Sequence, residues 1–306
     1  MPVFKKLELK DIETVKSCFT LSKSRACDNT VGGTFIWRDF FGMEYAEDNK
    51  NFIFKGKFEN NTTVFAMPLG KNNKEITDSL KQIESYCTEN GLPMIICLAV
   101  ENDMEIIDSL YEKTEKTFES SRSDYLYKIK DLAALEGRKY SGQRNHINYF
   151  KRTYENHAIK QIKPETLPEV RGFFEKYVQK NEIYYKKSPV LSEEAIKIFE
   201  IFDNFELYGQ TGIILYAGGD IIGFAIGETA GDTLFVHIEK ADPDFRGAYQ
   251  MLVNGFAKLY INENIEYINR EDDAGDENLR ISKMSYHPCD IIKKYTVKIK
   301  TEIKKE

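Results

Sequence analysis

The sequence predicts an α/β protein made of two copies of one sheet-and-helix unit, and three observations carry that reading. The first is the stretch Thr233 to Gln250, TLFVHIEKADPDFRGAYQ, which reads as strand, short acidic loop, Arg-Gly turn and helix start. The second is a weak internal repeat at an offset of 155 residues. Phe4, Leu7, Ile12, Val15, Lys16 and Phe19 fall on Ile159, Ile162, Leu167, Val170, Arg171 and Phe174, in each case a short strand, a polar turn and an amphipathic helix. The third is bulk composition. With 306 residues, 42% hydrophobic and 30% charged, the chain is long enough for two domains that each bury a core.

Taken in order, the first copy opens with MPVFKKLELKD, which has no apolar h-region, so no secretory signal is expected. Gly32-Gly33 precedes an aromatic segment around Trp37, read as packing. Phe52-Ile53-Phe54 falls on Ile213-Ile214-Leu215 of the second copy. The helix around Leu80 and the strand Pro93 to Leu98 fall on the helix around Leu252 and the strand Ile265 to Asn269. The apolar run Met94 to Val100 is far short of the ~20 residues a bilayer span needs. Cys18, Cys27, Cys87, Cys97 and Cys289 are odd in number and lack CxxC spacing. They read as buried or free thiols of a reducing, cytoplasmic setting.

Between the copies, Gly137 to Tyr154 holds five Lys or Arg and no acid, a local excess on a chain of formal charge −6. At helical spacing Arg144, Asn148 and Lys151 share one face and Ile147, Phe150 and Tyr154 the other, so the segment suits an anionic partner or a solvated linker face. Later, Glu182 to Ser188 (EIYYKKS) reads as a loop with paired tyrosines. The end from Ile291 reads as a last strand and a basic tail.

Chemistry concentrates in two places. On the central strand, plain alternation puts Leu234, Val236 and Ile238 on one face and Phe235, His237 and Glu239 on the other. After the next strand comes NREDDAGDENLRISKMSYHP, Asn269 to Pro288, with acids crowded around Gly275 and then Arg280, Lys283, Tyr286 and His287. The acids do not have calcium-hand spacing, and the His and Cys do not have zinc spacing, so no metal is expected. GxSxG, P-loop and GxGxxG are absent. A carboxylate on the central strand, with a Tyr and a Lys near the next strand's end and a turn able to hold an anion, suits proton removal from an attacking group followed by charge stabilisation.

The motifs DYLYKIKDLAALEGRKYSGQRNHINYFKRTY, VHIEKADPDFRGAYQ and NREDDAGDENLRISKMSYHP resemble a family of bacterial proteins related to the C-terminal catalytic domain of phosphatidylglycerol lysyltransferase. The likeness runs along nearly the whole chain. It implies tandem GNAT-like domains, each a mixed sheet flanked by helices, placed at 1–155 with a basic linker helix and at 156–306 with the active cleft. It also implies acyl transfer, most naturally of an aminoacyl group from aminoacyl-tRNA to an amine or hydroxyl. Glu239 would then be the proton acceptor with His237 beside it, Tyr286 the proton donor, and Lys283 or Arg280 the cation at developing charge. Arg246, Gly247, Tyr249, Asn269, Glu271 and Arg280 would meet substrate, and Lys139, Arg144, Asn148 and Lys151 the phosphates of the donor. PDFRGAYQ lacks the second small residue of a pyrophosphate loop, which disfavours CoA, so no cofactor is expected. The lipid-modifying relatives carry a membrane-spanning domain that this sequence does not, which leaves the acceptor open among small molecule, lipid and peptide. The alternatives are a non-catalytic ligand- or partner-binding protein of the same fold and a CoA-dependent N-acyltransferase.

Overall fold

A computed structural model of the chain describes residues 1–48, 51–58, 60–118, 120–261 and 264–300. The basic tail expected at the extreme end lies outside the described residues. The chain forms two compact units, Met1–Ser123 with Ile292–Glu306, and Asp124–Ile291.

In the first unit the elements run β1 (Lys5–Lys6), α1 (Ile12–Phe19), α2 (Val31–Phe35), β2 (Glu44–Asp48), β3 (Asn51–Lys57), β4 (Thr63–Ala66), α3 (Asn73–Glu89), β5 (Met94–Ala99), α4 (Glu101–Leu110) and β6 (Thr114–Phe118). The helices α1 and α3 form where apolar residues recur at three and four: α1 buries Ile12, Val15 and Phe19, and α3 buries Leu80, Ile83 and Cys87. Asn72 starts α3 by accepting from the Glu75 amide at 3.1 Å.

In the second unit the elements run β7 (Asp124–Lys128), α5 (Ile129–Ala134), α6 (Ser141–Thr153), β8 (Ala158–Gln161), α7 (Leu167–Lys180), α8 (Glu182–Lys187), α9 (Pro189–Asp203), β9 (Thr211–Ala217), β10 (Asp220–Ala230), β11 (Thr233–Ala241), α10 (Ala248–Tyr260), β12 (Tyr267–Asn269), α11 (Glu277–Met284) and β13 (Asp290–Ile292); β14 (Tyr295–Ile299) follows. EIYYKKS is thus helical, not a loop. Its Tyr185 is buried, and its end is fixed because Ser188 caps α9 through the Leu191 amide at 3.3 Å.

The two sheets share one order. The first reads β1-β2-β3-β4-β5-β14-β6, and the second, from its matching edge, β8-β9-β10-β11-β12-β7-β13. In each, the fourth and fifth strands are parallel, β4 with β5 and β11 with β12. Position by position, Phe52 to Phe54 in β3 matches β10, one strand further in than the Ile213 to Leu215 expected from the repeat. Both arms of a hairpin are apolar runs, and hydrophobic pattern alone does not tell them apart.

The sixth position decides where the units divide. β7 lies beside β12 in the second sheet, with Ile268 opposite Tyr127, and β14 lies between β5 and β6 in the first. Each sheet is therefore completed by a strand from outside its own repeat. This corrects the expected division near residue 155: the basic helix belongs to the second unit and the C-terminal strand to the first.

On one face of the second sheet α10 packs Leu252 and Phe256 over Ile213, Leu215, Ala225, Leu234 and Val236. Burying one such Leu or Phe gives about 1.5–3 kcal/mol. On the other face Phe224, the neighbour of Ala225, meets Phe174 and Phe202 of α7 and α9 at ring distances of 5.9 and 5.6 Å.

Candidate functional site

β11 and β12 run side by side for three pairs only, ending at Phe235 opposite Asn269, while β11 continues to Ala241 against β10. Beyond that point the parallel strands part. Arg270 turns toward β7, its amide donating to the Tyr125 carbonyl at 3.1 Å. Its side chain crosses the gap the other way. Nη2 and Nε donate to Oε2 of Glu239 at 2.6 and 3.2 Å. Both side chains are largely buried, at 6% and 15% exposure. Arg270 Nη1 is buried with no hydrogen-bond acceptor among the described residues. Tyr286 lies over the same guanidinium, ring centre 5.1 Å from Cζ, and is itself buried, which pushes its hydroxyl pKa up.

His237 does not share this face. β11 carries one residue too many opposite β10: Val236 pairs with Gly227 and Ile238 with Ile226, leaving His237 in a bulge. Gly227 is required there, because a Cβ would lie 2.0 Å from the Phe235 carbonyl oxygen. The extra residue reverses the alternation. Glu239 pairs with Ala225 on the α10 face, whereas His237 reaches Glu228 on the face opposite. The expectation of Glu239 beside His237, on the face opposite Leu234 and Val236, is corrected: the bulge puts Glu239 on their face, and plain alternation has no means of showing a bulge.

His237 instead bridges two carboxylates, Glu228 at 2.8 Å from Nε2 and Glu271 at 2.6 Å from Nδ1. Burial pushes its pKa down, but the two carboxylates outweigh that and raise it to about 10, so it is an imidazolium at neutral pH. Arg270 and Glu271 thus tie the chain beyond β12 to β11 by one charged contact on each face of the sheet.

The remaining expected residues divide clearly. Lys283 is buried and donates to the carbonyls of Arg270 and Asp272; burial, then the nearby Arg270 charge, lower its pKa. Arg280 grips Asp273 with two bonds of 2.8 and 3.1 Å, holding that carboxyl at about 2. Both cations are thereby committed to the loop they follow. Asn269 is fully buried, donating to Asp124 at 2.9 Å and accepting from the Glu271 amide at 2.6 Å. The structure brings Glu239 and Tyr286 together around Arg270 and turns Asn269, Lys283 and Arg280 into its frame.

The Arg-Gly turn is covered. Gly247 has φ +95°, and a Cβ there would lie 2.5 Å from the His146 carbonyl oxygen of α6. The Arg246 amide donates to the Tyr154 hydroxyl at 3.2 Å, and its guanidinium stacks 4.8 Å from the Tyr149 ring. Tyr249 is 38% exposed at the start of α10.

Of the donor-binding set, Arg144 is turned inward, donating to the carbonyls of Leu135 and Gly137 at the end of α5. Lys139 lies 3.9 Å from Asp131 and over the Tyr140 ring. Asn148 and Lys151, with Asn145 and Arg152, line an open groove of about 410 Å³. Lys258 of α10 is close enough to Lys151 that the like charge, after burial, lowers its pKa.

Sequence reasoning missed Arg270 and Glu228. Arg270 was hidden among the acids of NREDD. Glu228 was visible as the carboxylate that ends the apolar run Ile221 to Gly227 of β10, a position where an ion needs a partner.

Two mixed sheets of one strand order, each with a parallel pair at its fourth and fifth strands, define a GNAT-like fold, and the family and its neighbours support a function of acyltransferase type. More narrowly, the chain belongs to the family described as phosphatidylglycerol lysyltransferase, C-terminal, whose profile matches residues 19–298. A conserved protein of unknown function from Bacteroides thetaiotaomicron is similar over 98% of this chain and all of its own, at 30% identity and a TM-score of 0.88. The C-terminal domain of a lysylphosphatidylglycerol synthetase of Agrobacterium fabrum shares the fold at 13% identity, with a TM-score of 0.68 over 95% of this chain and 92% of its own. An uncharacterised protein of Mycoplasmoides gallisepticum is 28% identical over 85% of this chain and 83% of its own length. Among the described residues no helix is long and apolar enough to cross a membrane.

Proposed function

We infer that the second unit transfers an aminoacyl group from aminoacyl-tRNA to an amine or hydroxyl acceptor, with the reaction centred where β11 and β12 part. The observation that carries this is the Glu239–Arg270 pair. Oε2 of Glu239 takes both guanidinium bonds, and Oε1 makes none among the described residues. That oxygen is placed to accept the proton of an attacking amine or hydroxyl as the new bond forms at the ester carbonyl. The spare Nη1 of Arg270 is placed to stabilise the oxygen of the tetrahedral intermediate. When the ester C–O bond breaks, the Tyr286 hydroxyl supplies a proton to the departing ribose oxygen. Raised hydroxyl pKa keeps that proton in place until it is needed.

The groove on α6 supports a polyanionic donor, because Asn145, Asn148, Lys151 and Arg152 face solvent along one helix and Lys258 adds a further cation nearby. CoA fits less well. The turn where its pyrophosphate would lie against α10 is packed under Tyr149, Phe150 and Tyr154 of α6 and the chain beyond it. The non-catalytic binding reading is favoured by one observation, the commitment of Lys283, Arg280 and Asn269 to internal bonds.

The test is binding by filter retention of bulk aminoacyl-tRNA and of CoA to the full chain, followed by release of labelled amino acid to candidate amines. tRNA binding at low salt with acceptor-dependent release supports the reading. Binding of CoA without tRNA binding rejects it.

A further inference from the structure

The short helix α8 and the first turn of α9 expose more apolar surface than a water-facing corner needs. Ile183 and Tyr184 are 66% and 69% exposed and Val190 is 38% exposed, with Pro189 exposed between them. The corner is not loose. Tyr185 is buried beneath it, its carbonyl accepts from the Ser192 hydroxyl at 2.6 Å, and Ser188 caps the next helix. The fold therefore holds these side chains outward.

Charge decides what such a corner fits. Residues 176–190 contain four lysines and one glutamate on a chain of net charge −6. Lys180 is held by Asp242 and Asp244, and Lys186 by Glu182. Lys176 and Lys187 are exposed and form no ion pair among the described residues. The exposed apolar residues of α11, Leu279, Ile281 and Met284, share their helix with the acids Asp276 and Glu277 at its N-terminus, and its cations Arg280 and Lys283 are held by the preceding loop. Exposed aliphatic side chains, an interfacial tyrosine and unpaired lysines together match the boundary of an anionic bilayer.

We propose that the α8–α9 corner docks this protein on anionic lipid surfaces. Ile183, Tyr184 and Val190 enter the headgroup boundary, and Lys176 and Lys187 meet lipid phosphates. The corner is tied to the end of β11 by Lys180 on Asp242 and Asp244 and by Lys240 on Glu194 at 2.8 Å. Docking therefore brings the strand end that carries Glu239 to the membrane surface. It needs no turnover, so its outcome is independent of the acyl-transfer reading.

The experiment is co-sedimentation of the full chain with vesicles of phosphatidylcholine alone, or with about a third phosphatidylserine or phosphatidylglycerol. Equal binding to both anionic mixtures, at least about tenfold above phosphatidylcholine and weakened by salt, is expected. The Ile183→Ser/Tyr184→Ser protein should lose at least about tenfold of that binding, and Lys176→Glu/Lys187→Glu should lose its salt-sensitive part. Ile281→Ser should bind as the unaltered chain. Because every substituted side chain is exposed, circular dichroism should show unchanged folding. Absence of binding to anionic vesicles, or binding that the double substitution leaves intact, overturns the proposal. Binding confined to phosphatidylglycerol overturns it in favour of headgroup recognition. Self-association in solution that the Ile183→Ser/Tyr184→Ser protein loses, without vesicle binding, assigns the corner to a second copy instead.

Discussion

Glu239 and Arg270 meet at 2.6 Å across the gap between two parallel strands that have stopped bonding to each other six residues before β11 ends, at Phe235. The pair substitutes a side-chain bridge for missing backbone bonds and leaves one carboxylate oxygen and one guanidinium nitrogen without partners among the described residues. Removing either partner of a buried pair outright costs about 3–5 kcal/mol, because the other charge is stranded. Glu239→Gln keeps an oxygen acceptor for Arg270, so the fold should survive at a cost of about 1–3 kcal/mol. Turnover should nevertheless fall about 10²-fold or more, the scale for losing a general base. Steady-state rates set beside urea midpoints separate the two effects. A Gln variant with normal turnover would remove Glu239 from the chemistry.

Arg270→Lys tests the neighbouring role. A lysine can hold Glu239 but lacks the fork that leaves Nη1 free. Binding of donor should change little while the rate constant of transfer drops, by roughly 10²-fold if Nη1 acts as an oxyanion donor. Equal losses in binding and rate would show a purely structural arginine.

The buried imidazolium gives stability a pH signature. His237 titrates near 10 in the folded chain against an ordinary 6.5, so its contacts with Glu228 and Glu271 stabilise fully below 6.5 and are lost as pH rises through 10. Unfolding free energies of the unaltered chain, read from urea melts, should decline across that window by an amount on the order of a few kcal/mol. His237→Gln should be less stable at neutral pH and show a flatter decline. Identical slopes for the two proteins would mean that His237 is neutral when buried.

Two substitutions on α6 should part company. Lys151→Ala and Arg152→Ala should each reduce the salt dependence of tRNA binding by about one unit of slope, with the midpoint of unfolding unchanged. Arg144→Ala should do the reverse, lowering stability by about 1–3 kcal/mol as the carbonyls of Leu135 and Gly137 lose their donor. A salt slope that responds only to Arg144→Ala would move the donor surface off this groove.

Gly247→Ala places a Cβ 2.5 Å from the His146 carbonyl at a φ of +95°. The cost should exceed about 1 kcal/mol, since strain and collision add. Thermal unfolding checks it. A neutral substitution would show that α6 yields readily, and would reopen the turn to a pyrophosphate.

Much of this was legible in residue patterns. Leu252 and Phe256 at helical spacing mark α10, and Leu80 and Ile83 mark its counterpart α3. The same patterns failed where one residue or one strand breaks the rule. A single extra residue at His237 carries Glu239 across to the Leu234 and Val236 side of the sheet, and nothing in the hydrophobicity of VHIEK signals an insertion. Asn269, Lys283 and Arg280 looked chemical because polar side chains after a strand often are. Their burial, which decides that they brace the loop, depends on Tyr125, Asp124 and other residues far away in sequence. The division of the chain was missed for a related reason: β7 and β14 each leave the repeat they follow, and a self-similarity search credits a strand to the copy it adjoins.

That strand exchange also orders events on the ribosome. β5 and β6 both bond to β14 and to no other strand between them, so two facing strand edges of the first unit stay open until residues 295–299 have been made. Everything the second sheet needs has by then already left the peptidyl-transferase centre, including β7, which was translated early. The half that is synthesised first is therefore the half that finishes last. During translation its unpaired edges are open to mispairing, and a message truncated between the codons of Phe118 and Tyr295 yields a product with that exposure made permanent.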